Sequence, residues 1–493
     1  MDRAEIRLLP SKEVLILLTC SLLVYLGFFL LYQIYFDPLG RLPGAWLARW
    51  TDVVLKYHWL NGTRAQYVHR LHQRFGPVVR LGPNEVDISE ITAVKEIHNI
   101  KTGYKKSSFY EKFIPNTVNV FNATDVDFHR RHRRLLSAPL SESSLKTVEW
   151  AVDAKVKLAI KSMAREMEQR QATDVWKFWR FLATDVISEL SFGESFGMLE
   201  AGKKNQYIVD LEGIAARGPI FTTFPGLISL ASRLPIPIFS APAAAAKRMI
   251  RYAEQAVLQY KTHIAVNPAA AKPMLFSKLF AAGENGLTDD EIRCEAQAYI
   301  VAGSDTTATS LTYLVWAVCR DTKVKETLLS ELMSLGEDFG DSDLRQLPYL
   351  NAVIDETLRI HIAAPSALPR VVPAGGSTLA GYFIPGNTIV TTQSWTLHRD
   401  PLVFPGPELF DPTRWLNATK EMTDTAMPFG GGSRVCIGKH LARMELRLGT
   451  ARFFRAFPSA AVSTLESMSD EDMSPLAFFL LAPKGGRCLI EAK

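Results

Sequence analysis

Cysteine is scarce in this chain and scattered: Cys20, Cys294, Cys319, Cys436 and Cys488, five in 493 residues. The number is odd and no Cys-x-x-Cys pair occurs, so a disulfide framework and a zinc site are both excluded, and a reducing compartment fits best. Excess charge of one sign is lacking too. The net charge of +5 is too mild to argue for nucleic acid, although a basic face could still meet an acidic protein. No internal repeat is visible. A dinucleotide-type Gly-x-Gly-x-x-Gly and a phosphate loop ending in Gly-Lys-Ser/Thr are also missing. Charge is absent altogether from residues 14–32.

What is present concentrates near the end of the chain. Phe429-Gly430-Gly431-Gly432-Ser433-Arg434-Val435-Cys436-Ile437-Gly438 sets one cysteine between glycines and behind an arginine. From Ile437 the apolar Leu441, Met444, Leu448 and Ala451 follow at helical spacing, which puts Cys436 at or just before a helix N-terminus. There the dipole and free N–H groups favour an anion and lower a thiol's pKa. A thiolate so held is a good axial ligand for haem iron and favours O–O cleavage. Gly432 and Gly438 remove side chains where backbone must approach a flat macrocycle. Phe429 offers an aromatic edge near the sulfur, and Arg434 a fork for a propionate. A core cysteine beside a Gly-rich loop is the bland alternative, but here Phe-x-x-Gly-x-Arg-x-Cys-x-Gly is complete at all five positions. The stretch resembles the haem-binding signature of the cytochrome P450 family.

Residues 14–32 would span roughly 28 Å as a helix, about the hydrocarbon thickness of a bilayer. A secretory signal peptide would have a shorter apolar core followed by a small-residue cleavage site. Here Tyr32, Tyr35 and Phe36 close the run like an interface belt, so a retained anchor over 14–36 is expected after a segment 1–13. Arg41, Arg49 and Lys56 follow it, which favours a cytosolic body. Pro38 and Pro43-Gly44 mark a stiff linker over 37–50. Val78-Val79-Arg80-Leu81 and Glu85-Val86-Asp87-Ile88 read as strands of a small sheet broken by Gly82-Pro83. A loop-rich stretch over 101–127 carries Phe109, Phe113, Val118, Val120 and Phe121, as a binding loop would. The proline-cut apolar region over 218–246 reads as a lid or membrane-dipping loop.

Thr288-Asp289-Asp290-Glu291 is a capping box, with Leu287 and Ile292 at staple positions. The helix it starts should run to about Cys319, roughly 45 Å. Gly303, in its middle, would allow close approach of a ligand. Thr306 can turn its hydroxyl from the ladder and open the helix locally. Further along, Glu356 and Arg359 stand three apart, a spacing that alone means a commonplace ion pair. The run 475–481, bounded by Gly485-Gly486, reads as a hairpin with an apolar tip and a candidate pocket wall.

The resemblance extends from anchor to hairpin. Ala302-Gly303-Ser304-Asp305-Thr306-Thr307 is similar to the family's oxygen-binding motif, which implies that Asp305 and Thr306 deliver protons. His129 and Arg133 share one helix side and match the family's Trp/His-x-x-x-Arg pattern, with His in place of the commoner Trp. By resemblance His129, Arg133, Arg370 and Arg434 hold the haem propionates, Ala302, Phe429 and Gly438 line the cofactor, and Cys436 ligates the iron. Residues 364–368 would line the substrate pocket. Arg414 would close a buried triad with Glu356 and Arg359, with Trp415 where the family more often has Phe.

The expectation is a mainly α cytochrome P450 fold with a minor β region over 51–493, behind one transmembrane helix. The implied activity is a monooxygenase inserting one atom of O2 into a hydrophobic organic substrate. Its cofactor is haem b. Electrons would come from NADPH through a separate cytochrome P450 reductase, or cytochrome b5, since no fused flavin region is present. The reductase would dock on the basic face around Arg130, Arg131 and Arg134. The 35–39 stretch and the run at 396–401 look like the filamentous-fungal, secondary-metabolism branch of the family, in the endoplasmic reticulum membrane and facing the cytosol. Two rivals remain open: a haem-thiolate isomerase or dehydratase needing no reductase, against which Asp305-Thr306 counts, and a non-catalytic haem-binding protein.

Overall fold

One helix organises the domain, and its start is local chemistry. Thr288 Oγ1 accepts the Glu291 N–H at 3.2 Å, and Glu291 Oε2 accepts the Thr288 N–H at 2.8 Å. The capping box thus satisfies two otherwise orphaned donors and opens the helix Asp289–Arg320, 32 residues long. The computed structural model describes residues 12–113, 117–215, 217–224, 226, 237–266, 275 and 286–492. Within it this helix is buried over most of its second half, where Leu311, Tyr313, Leu314, Val315 and Val318 are sealed from solvent.

Several helices pack against it, two of them closely tied to the site. The helix Val175–Phe192 comes so close that a Cβ on Gly303 would stand 2.9 Å from Ile187 Cγ1. That corrects the expectation for Gly303: its missing side chain admits a neighbouring helix, not a ligand. The helix Lys439–Ala456 buries Leu441, Met444, Leu448 and Ala451, as their spacing foretold. Glu149–Arg170 packs against both partners, and the joint core includes Trp179, Phe453 and Phe454.

The β part is small. Its main sheet runs in the order Val78–Gly82, Glu85–Ile88, Ile389–Thr391, Arg370–Val371, Lys105–Lys106. The first two strands are the expected ones, paired antiparallel around the Gly82-Pro83 break. At the far edge Lys106 stands directly opposite Arg370. Near the C-terminus Pro475–Ala477 pairs with Leu481–Pro483, so the expected hairpin forms with Phe478, Phe479 and Leu480 at its tip. Leu481 N donates to Ala363 O at 2.8 Å, which ties the hairpin to the 363–368 connector.

Among the described residues no helix is long and apolar enough to cross a membrane. The N-terminal helix Lys12–Phe36 does turn Ile16, Leu17, Leu18, Val24 and Phe28 outward. Just after it Asp37 accepts Arg80 and approaches Arg49 at 3.6 Å, fixing the chain to the sheet. Of the expected lid, the helix Gly218–Thr223 and the start of Pro237–Val266 are described, and residues 227–236 lie outside the described set.

Candidate active site

The cysteine loop is built from backbone contacts. Cys436 N donates to Phe429 O at 2.8 Å, which closes the loop on itself. Gly432 has φ +62°, and a Cβ there would stand 1.7 Å from His98 O. Gly432 is therefore required by a turn against His98, not by a macrocycle, which corrects the expectation. At Gly438, the N-cap of Lys439–Ala456, the nearest atom to a built Cβ is Cys436 Sγ at 4.0 Å. Its lost side chain leaves room beside the sulfur. Cys436 lies deep in the fold yet keeps an exposed face. Phe429 is half-buried, with the Arg443 guanidinium 5.7 Å from its ring centre.

The thiol does not behave as its helix position suggests. Burial pushes the Cys436 pKa up, while the Gly438 N–H and the Arg133 charge pull it down. Desolvation of a thiolate outweighs one dipole end here. A metal bonded to the sulfur removes that proton outright, so the thiolate fits a liganded state.

Around this loop the expected propionate holders do converge. Arg133 donates to Val435 O, next to the cysteine, and Arg434 Nη1 donates to Ala123 O at 3.0 Å. Arg370 Nη1 donates to Tyr110 Oη at 3.2 Å. His129 is buried, and desolvation together with Arg434, Lys106 and Arg133 lowers its pKa to about 3. Burial, Arg370 and Arg133 bring Arg434 down to about 10. Lys106 and His98 join the cluster, although no sequence motif announces them. Desolvation, Arg370 and Lys106 lower His98 to about 3, and its buried Nδ1 has no partner among the described residues. Lys106, Arg133, Arg370 and Arg434 donate to carbonyls and a phenol. Asp125, the N-cap of Val126–Ser137, acts on Arg434 from a distance. Two buried cations, Lys106 and Arg370, beside the half-buried Arg133 and Arg434 call for anions. Two carboxylates on one flat ligand, with a sulfur ligand nearby, fit this donor set, and iron protoporphyrin IX has that form.

The central helix passes close by, near enough for Tyr299 to interact electrostatically with Arg133 and Cys436. Ala302 is exposed although buried residues follow it closely along the helix. Thr306 Oγ1 donates to Ala302 O at 2.7 Å, within an unbroken helix. Asp305 goes elsewhere: Arg180 Nε donates to its Oδ1 at 3.0 Å, and Arg180 also pairs with Glu212. Asp305 thus opens on a cavity lined by Arg180, Thr184, Lys204 and Glu212. Adjacent in sequence, the two residues stand with different partners because a helix turns about 100° per residue.

The structural triad comes together. Arg359 donates to both Glu356 oxygens at 2.7 and 2.8 Å, and Arg414 Nε reaches Glu356 Oε1 at 3.0 Å. Trp415 Nε1 donates to Glu356 Oε2 at 2.8 Å. The tryptophan, where the family more often has Phe, therefore adds a hydrogen bond that Phe cannot make.

Glu445, also unannounced, is buried on the cysteine helix with Thr307 as its hydrogen-bond partner, and burial pushes its carboxyl up to about 8. The folded chain then holds a proton that the unfolded chain releases above about pH 4.5. Stability from this group falls as pH rises from that point and levels off above about pH 8. Glu445→Gln is expected to lack this fall. Its stability relative to wild type should rise by on the order of 4 kcal/mol between pH 4.5 and 8, read from urea midpoints. Parallel curves would show that Glu445 is ionised throughout.

A cysteine just before a helix, with cations gathered about it whose partners among the described residues are carbonyls and a phenol, suits a haem-thiolate protein. The chain belongs to the cytochrome P450 family, whose sequence profile, described as Cytochrome P450, matches residues 47–489, and it is a monooxygenase of that family. It is 49% identical over 467 residues to cytochrome P450 monooxygenase tazI of Aspergillus terreus, covering 94% of this chain and 95% of that protein. To cytochrome P450 monooxygenase orf2 of Aspergillus niger it is 43% identical over 465 residues, covering 94% and 95%. To tryprostatin B 6-hydroxylase of Aspergillus fumigatus it is 30% identical over 459 residues, covering 90% and 79%.

Proposed function

We propose that this monooxygenase carries out a tailoring step of fungal secondary metabolism, inserting one oxygen atom of O2 into a hydrophobic organic substrate while the other leaves as water. The single observation behind it is the gathering of Lys106, His129, Arg133, Arg370 and Arg434 around the Cys436 loop. Bound there, haem supplies oxygen activation. Cys436 Sγ would hold the iron, and His129, Arg133, Arg370 and Arg434 would hold the carboxylates. The Thr306 hydroxyl passes a proton into the site. The Asp305 carboxylate, held by Arg180 at the rim of its cavity, would relay a proton taken up from water on the Glu212 and Lys204 side. The half-buried rings of Phe113, Phe121 and Phe479, 5.1 to 5.6 Å apart, form an apolar wall that excludes water and suits a bulky, uncharged substrate.

Electrons come from NADPH through a separate cytochrome P450 reductase, or cytochrome b5. The docking face is the exposed side of Val126–Ser137, where Arg130, Arg131 and Arg134 are exposed. Residues 14–36 act as a single-pass anchor in the endoplasmic reticulum, with segment 1–13 before it, linker 37–50 after it and the catalytic body 51–493 in the cytosol. The support is the uncharged run at 14–32 and the exposed apolar side chains of its helix. The full chain is expected in the alkali-resistant membrane pellet, and a chain lacking residues 1–36 largely in the supernatant. Equal pelleting of both would remove the anchor.

The test of function is incubation with reductase, NADPH and ¹⁸O₂ against hydrophobic compounds selected by their shift of the haem spin state. Label in the product, dependent on NADPH, is expected. A product formed without NADPH or O2 would favour an isomerase. Thr306→Ala should keep the carbon-monoxide spectrum and lose about 10²-fold or more in labelled product, the scale of a lost proton-transfer group.

A further inference from the structure

The turn at 119–122 carries Phe121 to the aromatic wall, where its ring centre lies 5.6 Å from that of Phe479 and 5.6 Å from that of Tyr110. Its own side chains knot the turn. Asn119 Oδ1 accepts the N–H groups of Phe121 and Asn122 at 3.0 and 3.1 Å, and Asn122 Oδ1 accepts that of Asn119 at 2.8 Å. One N–H of the turn is satisfied elsewhere. Val120 N donates at 2.8 Å to Glu295 Oε1, on the central helix and 175 residues away in sequence. His132 Nδ1 meets the same oxygen at 2.7 Å. His132 Nε2 lies 3.2 Å from Glu291 Oε1, which Arg131 Nη1 holds from outside at 2.8 Å. Glu295 and His132 are sealed from solvent, and the Phe128 ring stacks on His132 at 3.8 Å. Burial pushes the Glu295 carboxyl up, while His132 and the Val120 N–H pull it down. Glu295 Oε2 is buried with no partner among the described residues. A half-satisfied buried carboxylate costs more than an apolar side chain of its size would, so its place is explained by the two donors it joins.

We infer that Glu295 is a positioning residue for substrate: by holding Val120 it fixes the turn that presents Phe121, and so sets how tightly a bulky ligand is bound. The inference rests on haem binding at Cys436, with substrate beside the wall of Phe113, Phe121 and Phe479. The second bond to His132, on the helix Val126–Ser137, keeps the carboxylate in place when the turn is pushed. A small ligand of the iron needs no wall and is indifferent to Glu295. A bulky one leans on Phe121 and loses contact when the turn loosens.

The experiment titrates the full-length, haem-loaded protein with two iron-binding probes, imidazole and N-tritylimidazole, each read by its shift of the Soret band. Hydrogen exchange over residues 117–122 is measured beside it. Glu295→Ala is expected to bind N-tritylimidazole about ten-fold or more weakly than wild type, the scale of one hydrogen bond to a charged group. Its affinity for imidazole should stay at the wild-type value, and its turn should exchange faster. Glu295→Gln keeps an acceptor oxygen for Val120 and should restore N-tritylimidazole binding. Unchanged N-tritylimidazole binding in Glu295→Ala overturns the inference. So does an equal loss for both probes, which would make Glu295 a support of the whole haem site. A wild type that binds imidazole but not N-tritylimidazole overturns it as well, since no bulky ligand then reaches the wall. If Glu295→Ala does not accumulate as a folded protein, Val120→Pro is read by the same criterion: it removes the same bond from the loop side, at a turn position where proline is tolerated. A wild type whose Soret band imidazole leaves unmoved would instead overturn the haem site itself, so the two failures are distinct.

Discussion

Cys436→Ala is expected to abolish the red-shifted Soret band of the reduced carbon-monoxide complex and all oxygenation with it, while the fold persists. The two effects separate because of where the residue sits. The alanine keeps the backbone bond from residue 436 to Phe429 O, and the turn at Gly432 against His98 does not involve the sulfur. The cysteine helix starts at Gly438 and holds itself by buried Leu441, Met444 and Leu448. What is lost is the exposed sulfur beside Gly438. Burial keeps this thiol protonated in the absence of a metal, so its charge is not part of the fold's own balance. Thermal unfolding of the haem-free form should move little between variant and wild type. The measurement is the difference spectrum beside a melting curve. A shifted band that survives the mutation would take the ligand role from Cys436.

Glu356→Ala is expected to do the reverse and remove the folded protein. Glu356 and Arg359 are completely buried, and Arg414 nearly so. The carboxylate accepts from Arg359, Arg414, Trp415 and the Asp411 N–H. Without it two guanidiniums are left in a low-dielectric site. Arg359 retains bonds to the carbonyls of His398, Pro407 and Leu409, which satisfy its donors without neutralising its charge. Breaking such a pair costs about 3–5 kcal/mol, against a total stability of about 5–15 kcal/mol. Little folded, haem-loaded protein should accumulate, as judged by the Soret absorbance per unit of chain. Trp415→Phe removes one of the four partners and should cost only about 1 kcal/mol. If Glu356→Ala melted as wild type does, the triad would be a surface ornament of the connector.

Much of this was legible because it is written over short spans. Five residues around Cys436 describe a ligand loop, four around Thr288 describe a helix start, and the hairpin at 475–483 announces itself by its apolar tip. Pairwise roles were less legible. Gly303 and Gly432 look alike in sequence, as gaps for a cofactor, yet each is filled by a neighbour, Ile187 in one case and the His98 carbonyl in the other. Asp305 and Thr306 read as one unit and stand with different partners. Lys106 carried no signal beyond alternation in a two-residue strand, and Glu445 none beyond its place on a buried helix.

The sequence by itself determined the cysteine loop, the capped central helix, the order of the motifs and the members of the Glu356 triad, because each depends on spacing or on residue types that have few other uses. Tertiary structure decided which charges share a space. Sheet register set Lys106 against Arg370, helix packing buried Glu445 against Thr307, and burial outweighed the helix dipole at Cys436. Desolvation and Coulomb interactions depend on distances between residues far apart in the chain, and only the folded packing fixes those distances.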